Sequence, residues 1–285
     1  MRLGVLRGRA VLIRGNRAAD ARWAAQGRLP TDPMALLEQW ERLRDFAAAV
    51  PDEAYDIKVD PDALQAPVPL PRQIFAVALN YPPHAAEAGY TPPDEPLVFT
   101  KFPTCLTGPR TKVELPAGKV DWEVELVAVI GRPAHRVSEN RAWESVAGLT
   151  IGQDLSERVS QLRGKPAQFS LGKSFPGFGP TGPVLVTPDE FDDPDDLEIT
   201  GLLNDEVVQH DRTKSMIFPV PELIARLSAV VPLLPGDLVF TGTPAGVGNR
   251  MDPPRYLTEG DELVSRIQGI GELRQHFSGP VAPVS

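Results

Sequence analysis

Residues 120–131, VDWEVELVAVIG, alternate as a β-strand does. Asp121, Glu123, Glu125, Val127 and Val129 fall on one side, and Trp122, Val124, Leu126, Ala128 and Ile130 on the other. The second side is apolar throughout. The first begins as three carboxylates and ends as two valines, so the later half of the strand is apolar on both faces, the pattern of a strand covered on both sides. Glu123 and Glu125 then sit about 7 Å apart at the strand's rim. Two like charges there need a cation, a proton or water.

The same short apolar runs, bounded by turn residues, recur along the chain: IFAVALN, PLVFTKF, AGLTIGQDL, GPVLVT, LEITGLLND, DLVFTGTP and ELVSRIQG read as strands. PVPELIARLSAVV reads instead as a helix with Leu223, Ile224, Leu227, Val230 and Val231 on one face, followed by an LPGD turn. Nearer the start, LGVL and AVLI flank Arg7-Gly8-Arg9 as a hairpin does, and a helix is expected from about Pro33 to Val50, capped by Thr31 or Asp32. The proline-rich VDPDALQAPVPLPRQ, residues 59–73, marks a boundary. The pattern predicts a β-rich α+β protein: a small N-terminal αβ domain over residues 1–65 and a β-dominated domain over residues 74–280 with few helices.

Composition narrows the function classes. The 285 residues suffice for a sizeable core, and the 31 prolines and 24 glycines, about a fifth of the chain against a usual ~12%, imply many turns. A net charge of −9 without a basic patch argues against nucleic acid and favours small molecules. Cys105 is the single cysteine, so any metal must be held by oxygen or histidine, and a reducing, cytoplasmic setting is expected. No run reaches membrane-spanning length, and arginines interrupt the apolar N-terminus, so neither a signal peptide nor a membrane partner is expected.

Several residues can carry chemistry. Alternating acids on a strand are commonly a solvated face, but Asp154 ends a second apolar strand, and three carboxylates from two strand ends suit an oxygen-loving divalent cation. Asp154 could equally cap a helix. In ALNYPPHAAEAGY, Pro82 and Pro83 can start a short helix that sets His84 and Glu87 on one face. There a carboxylate can fix the imidazole's tautomer and leave its other nitrogen to take a proton from water, unless both are merely solvated. Lys173 lies in the glycine- and proline-rich SLGKSFPGFGPTGP among phenylalanines, either solvated or drawn into a cleft to stabilise an anion. TGTPAGVG, residues 241–248, lacks the lysine of a phosphate loop, but its backbone N–H groups and Thr243 could hold a carboxylate.

In order, ALNYPPHAAEAG, TGP, DWEVELVAVIG, GQDLSERVSQ, GKSFPGFGPTGP and LLPGDLVFTGTPAGVG resemble the fumarylacetoacetate hydrolase family over about residues 74–275. The resemblance implies a mixed β-roll or β-sandwich catalytic domain, a homodimer, and Mg²⁺ or Mn²⁺ held by Glu123, Glu125 and Asp154. It implies catalytic roles for His84, Glu87 and Lys173, with His84 and Glu87 as a water-activating pair on a mobile lid. It further implies substrate contacts from Tyr81, Arg158, Gln161, Gly242 and Thr243. Pro82 and Pro83 depart from the polar pair usual in relatives, which removes or moves one substrate contact. The implied activity is hydrolysis of a carbon–carbon bond in an acylpyruvate-type 2,4-dioxo acid through a metal-bound pyruvate enolate. The alternatives are oxaloacetate decarboxylation, isomerisation or hydration of unsaturated 2-oxo acids, and a non-catalytic metal-bound binding protein.

Overall fold

The computed structural model describes residues 1–279. Its larger sheet runs, from edge to edge, Ile57–Lys58, Arg17–Asp20, Arg9–Arg14, Arg2–Leu6, Gly179–Val186, Val146–Gln153, Val124–Ile130, Leu238–Phe240, Ile74–Ala78 and Leu97–Thr100. A second sheet runs Glu206–Arg212, Glu198–Leu203, Glu262–Ile267, Gly271–Ser278 and Arg110–Glu114. Helices are minor, so the protein is a strand-rich α+β fold.

Strand Val124–Ile130 lies inside the larger sheet, antiparallel to Val146–Gln153 on one side and to Leu238–Phe240 on the other. All seven of its residues are buried. Its alternation sorts as the sequence predicts. Val124, Leu126, Ala128 and Ile130 join a core with Ile199, Leu223, Ile267 and Leu273, from the second sheet and the helix Val220–Val230. Val127 and Val129 join another with Leu36, Leu37, Trp40 and Leu43. The second face is therefore covered by the N-terminal segment.

That segment carries strands and helices as expected, but its strands extend the larger sheet. Arg2–Leu6 pairs with Gly179–Val186, with Leu3 opposite Leu185. Its hairpin closes through Arg7 and Gly8, both at positive φ (51° and 73°), the geometry that matches the strands' twist. The helix expected from Pro33 to Val50 is two helices, Pro33–Leu37 and Trp40–Ala48, broken at Glu38-Gln39. Asp32 caps the first by accepting from the Ala35 N–H at 2.8 Å. The strand expected over residues 120–131 is also broken. Val120–Asp121 pairs with Ser156–Glu157 in a separate ribbon, and the backbone leaves the ladder at Trp122 and Glu123 before Val124. The break has a visible cause: Asp121 and Glu123 are each drawn to partners away from the sheet, described next.

Candidate metal centre

Glu125 lies on the strand just described, Glu123 one residue before it, and Asp154 one residue past the end of the neighbouring strand Val146–Gln153. The Asp154 N–H donates to the Glu123 carbonyl at 2.9 Å, which holds the two strand ends in register. One carboxylate oxygen from each of Glu123, Glu125 and Asp154 lies within 4.8 Å of the others, and all three side chains are buried.

Three cations surround them. Lys173 donates to Glu123 at 2.6 Å and to Asp154 at 2.5 Å. Lys101 donates to the other Asp154 oxygen at 2.5 Å and to the Lys173 carbonyl. Arg158 pairs with Glu123 at 2.8 Å and with Asp121 at 2.6 Å. Asp121 therefore does not join the cluster it shares a strand face with; it also accepts from the N–H groups of Gly248 and Asn249, at 2.7 and 3.0 Å.

Four buried carboxylates thus face three buried cations, and the deficit falls on Glu125. It receives one hydrogen bond, from the Gly242 N–H at 2.8 Å, and no ion pair among the described residues. Gly242 has φ +98°, and a Cβ there would lie 2.7 Å from the Asn80 Cβ, so only glycine brings that N–H so close. Burial, with Asp154 and Glu123 adding to it, pushes the Glu125 carboxyl well above its ordinary value. Burial also acts to raise Glu123, but Lys173 and Arg158 more than reverse it, to about 2. One buried carboxylate without its own counter-charge, beside two that are held by lysine and arginine, is a donor set that fits a divalent cation.

A cavity of about 210 Å³ opens beside this centre, lined by Glu123, Arg158, Gln161, Lys173, Thr243 and His84 among others. Leu79, on its wall, has φ +57°, an outlier for a bulky residue and a mark of local strain. A larger groove of about 890 Å³, by Met1, Arg44 and Tyr55, contains none of these chemical groups. The short helix Pro82–Glu87 starts on its two prolines and presents His84 to the cavity. The His84 Nδ1 is 2.7 Å from Glu87 Oε1, and Glu87 accepts in turn from the Gly246 N–H at 3.0 Å. His84 is only 8% exposed, so the pair is built in rather than solvated.

Of the sequence-predicted residues, Glu123, Glu125, Asp154, His84, Glu87, Lys173, Arg158 and Gln161 meet at this centre and cavity. Three of the expected substrate contacts are arranged differently. Gly242 gives its N–H to Glu125. The Thr243 hydroxyl donates to the Val124 carbonyl at 2.9 Å and accepts from Gln209 at 2.8 Å, though the residue lines the cavity. Tyr81 is wholly buried, not on the cavity wall, and its hydroxyl has no hydrogen-bond partner among the described residues. Sequence reasoning missed Lys101 and the separate task of Asp121. A lysine directly after the apolar run PLVFT is the only signal that pointed to the first.

A strand-rich α+β fold around a buried carboxylate cluster with an adjoining histidine cavity defines a divalent-metal-dependent enzyme. Residues 73–278 match the family described as fumarylacetoacetate (FAA) hydrolase C-terminal, and the chain belongs to that family. A Mycobacterium smegmatis protein provisionally named HpcE has the same fold, with 50% identity, a TM-score of 0.94, and 98% of this chain and 99% of that one covered. Maleylpyruvate hydrolase from Sphingobium sp. SYK-6, solved with manganese(II) and pyruvate, is 29% identical with a TM-score of 0.82, covering 99% and 100%. The human mitochondrial oxaloacetate tautomerase FAHD2A is 42% identical over 210 residues, 73% of this chain and 67% of that protein. No helix of the described residues is long and apolar enough to cross a membrane.

Proposed function

We propose that the protein hydrolyses a carbon–carbon bond in an acylpyruvate-type 2,4-dioxo acid, with Mg²⁺ or Mn²⁺ held by Glu123, Glu125 and Asp154. The observation that carries this reading is the His84–Glu87 pair in the same cavity as the carboxylate cluster. A dication there supplies Lewis-acid stabilisation of the negative charge that builds on the 2-oxo acid oxygens, worth several kcal/mol.

The protein's own groups do the rest. Glu87, fixed by the Gly246 N–H, accepts from His84 Nδ1 and sets the tautomer in which Nε2 is bare. Nε2 takes a proton from water, and the hydroxide formed attacks the distal carbonyl. Lys173 spends two of its three N–H donors on Glu123 and Asp154 and has one left for the cavity, where it steadies the anion released by bond cleavage. The His84 helix serves as the lid in this reading, closing on bound substrate.

Decarboxylation of oxaloacetate, or isomerisation of an unsaturated 2-oxo acid, is the second reading. The similarity to an oxaloacetate tautomerase and to a probable 2-hydroxyhepta-2,4-diene-1,7-dioate isomerase favours its isomerase branch, and neither decarboxylation nor isomerisation needs an attacking water. A panel of acylpyruvates, oxaloacetate and unsaturated 2-oxo diacids, assayed with and without Mg²⁺ or Mn²⁺ and with products identified, decides between them. Turnover of oxaloacetate alone would sink the hydrolase reading. A homodimer in the cytoplasm completes the proposal; exposed Leu97, Val98 and Phe102, at and beside the edge strand of the larger sheet, support a second copy, and light scattering tests it.

A further inference from the structure

Two buried glutamines hold the backbone where Glu123 meets strand Val124–Ile130. The Glu123 N–H donates to Gln153 Oε1 and the Val124 N–H to Gln209 Oε1, each at 3.0 Å. Gln153 gives its amide to the Ser265 hydroxyl of the second sheet at 3.0 Å. Gln209, on that sheet's edge strand Glu206–Arg212, reaches a different place: its Nε2 donates to the Thr243 hydroxyl and to the Pro244 carbonyl, both at 2.8 Å. Its side chain is buried and uses both amide hydrogens as well as its carbonyl.

The loop that Gln209 reaches joins the two halves of the site. Its Gly242 N–H donates to Glu125 at 2.8 Å, and its Thr243 hydroxyl donates to the Val124 carbonyl at 2.9 Å. Its Gly246 N–H donates to Glu87 at 3.0 Å, and Glu87 in turn holds His84 Nδ1. Residues 242–246 thus run from a carboxylate of the metal centre to the acid that orients the imidazole. They belong to no helix or strand, so side-chain hydrogen bonds rather than a ladder set their position. Gly246, at φ +102°, also packs on Gln209's own strand, where a Cβ would run into the Val208 carbonyl oxygen.

From these bonds we infer that Gln209 is a positioning residue that fixes the carboxylate centre and the His84–Glu87 pair at one separation, by clamping the head of strand Val124–Ile130 to the loop that serves both. Its bearing on catalysis rests on the hydrolytic reading above; its bearing on the two clusters rests on their geometry alone. A base must lie within hydrogen-bond reach of the water it deprotonates, and a displacement of about 1 Å can cost about 10²-fold in rate. Gln153 makes the contrast. It holds the same strand head but does not touch the loop, so its loss should disturb the carboxylates and spare the histidine.

The test compares Gln209→Met, Gln209→Glu and Gln153→Met with the unsubstituted protein, after urea unfolding has shown that each is folded. Two readouts need no activity: calorimetric titration with Mn²⁺, and nitrogen-15 spectra of the imidazoles in the metal-free protein, where only four histidines have to be assigned. Gln209→Met should lower Mn²⁺ affinity about 10- to 10²-fold and turn His84 from one tautomer, protonated on Nδ1, into a mixture. Gln209→Glu keeps the acceptor for the Val124 N–H and, when protonated, one donor for the loop, so it should fall between. Gln153→Met should lower Mn²⁺ affinity and leave the His84 tautomer as it was. At saturating Mn²⁺, acylpyruvate hydrolysis by Gln209→Met should fall about 10²-fold in kcat. If folded Gln209→Met or Gln209→Glu keeps both the Mn²⁺ affinity and the single tautomer, or if Gln153→Met changes the tautomer as much as Gln209→Met does, the inference is overturned. If the unsubstituted protein hydrolyses no acylpyruvate, the hydrolytic reading falls, and the affinity and the tautomer still decide the role of Gln209.

Discussion

The two ends of strand Val124–Ile130 are equally buried and chemically opposite. At its later end, Val127 to Ile130 pack against two apolar cores, one on each face. At its beginning, Glu125 and the adjoining Glu123 are just as inaccessible, at 1% and 6% exposure, yet they meet lysine, arginine and backbone N–H groups. Burial alone does not separate core from site. The later end lowers free energy by removing apolar surface from water, whereas the earlier end keeps charges out of water and leaves one of them, Glu125, short of a partner. The contrast teaches that the unbalanced charge, rather than the depth, marks the metal centre.

The largest expected effect breaks the charged end. Glu125→Gln keeps the acceptor for the Gly242 N–H but removes the charge. Calorimetric titration should show Mn²⁺ affinity falling by more than the roughly 10- to 100-fold expected of an outer-shell partner, with the metal-free protein no less stable. Unchanged affinity removes Glu125 from the ligand set. Next comes His84→Ala, which should cost about 10²- to 10⁴-fold in acylpyruvate hydrolysis at saturating Mg²⁺. Glu87→Gln should do the same more weakly. Any oxaloacetate decarboxylation should fall much less in both, and a parallel loss of the two activities would reassign His84.

Two stability measurements sharpen the comparison. Asp154→Ala leaves Lys101 and Lys173 buried without a shared counter-charge and should destabilise by roughly 3–5 kcal/mol. Leu126→Ala empties part of the apolar core and should cost about 2–5 kcal/mol, with Mn²⁺ affinity retained; urea unfolding reads both. If Asp154→Ala unfolds no more easily than the unsubstituted protein, the lysines are not committed to it.

The smallest effect concerns a buried acid whose charge is satisfied. Burial acts to raise the Asp261 carboxyl, but hydrogen bonds from Asn204 and Thr258, with the Arg255 charge, hold it below its ordinary value. A lowered value means that its stabilisation is present above the ordinary carboxylate range and is lost as pH falls through the lowered one. Asp261→Asn should therefore be less stable than the unsubstituted protein at pH 7, with the gap narrowing in acid. A gap that does not narrow shows that the charge is not what matters there. Glu125, with its value raised, runs the opposite way.

Local pattern determined much of this protein. Period-two alternation told which residues of Val124–Ile130 share a face, because side-chain direction in a strand depends only on neighbouring backbone. The hairpin at Arg7-Gly8, the Asp32 cap and the proline start of the His84 helix were legible for the same reason, each being settled within a few residues. The histidine–glutamate pair was legible as a pair, since three positions on one helix fix the contact. What lay outside the sequence was everything set by distant partners. That the N-terminal segment covers the second face of the strand, and extends the sheet instead of standing apart, follows from the pairing of Leu3 with Leu185. That Asp121 leaves its strand-mates to hold Arg158 and the Gly248 turn, and that Lys101 reaches Asp154 across 53 residues of chain, follows from packing as well. A carboxylate's sequence neighbours say which way it points. Which cations share its burial, and whether any charge is left over for a metal, is decided only when remote strands are brought together in a medium where an unpaired charge is costly.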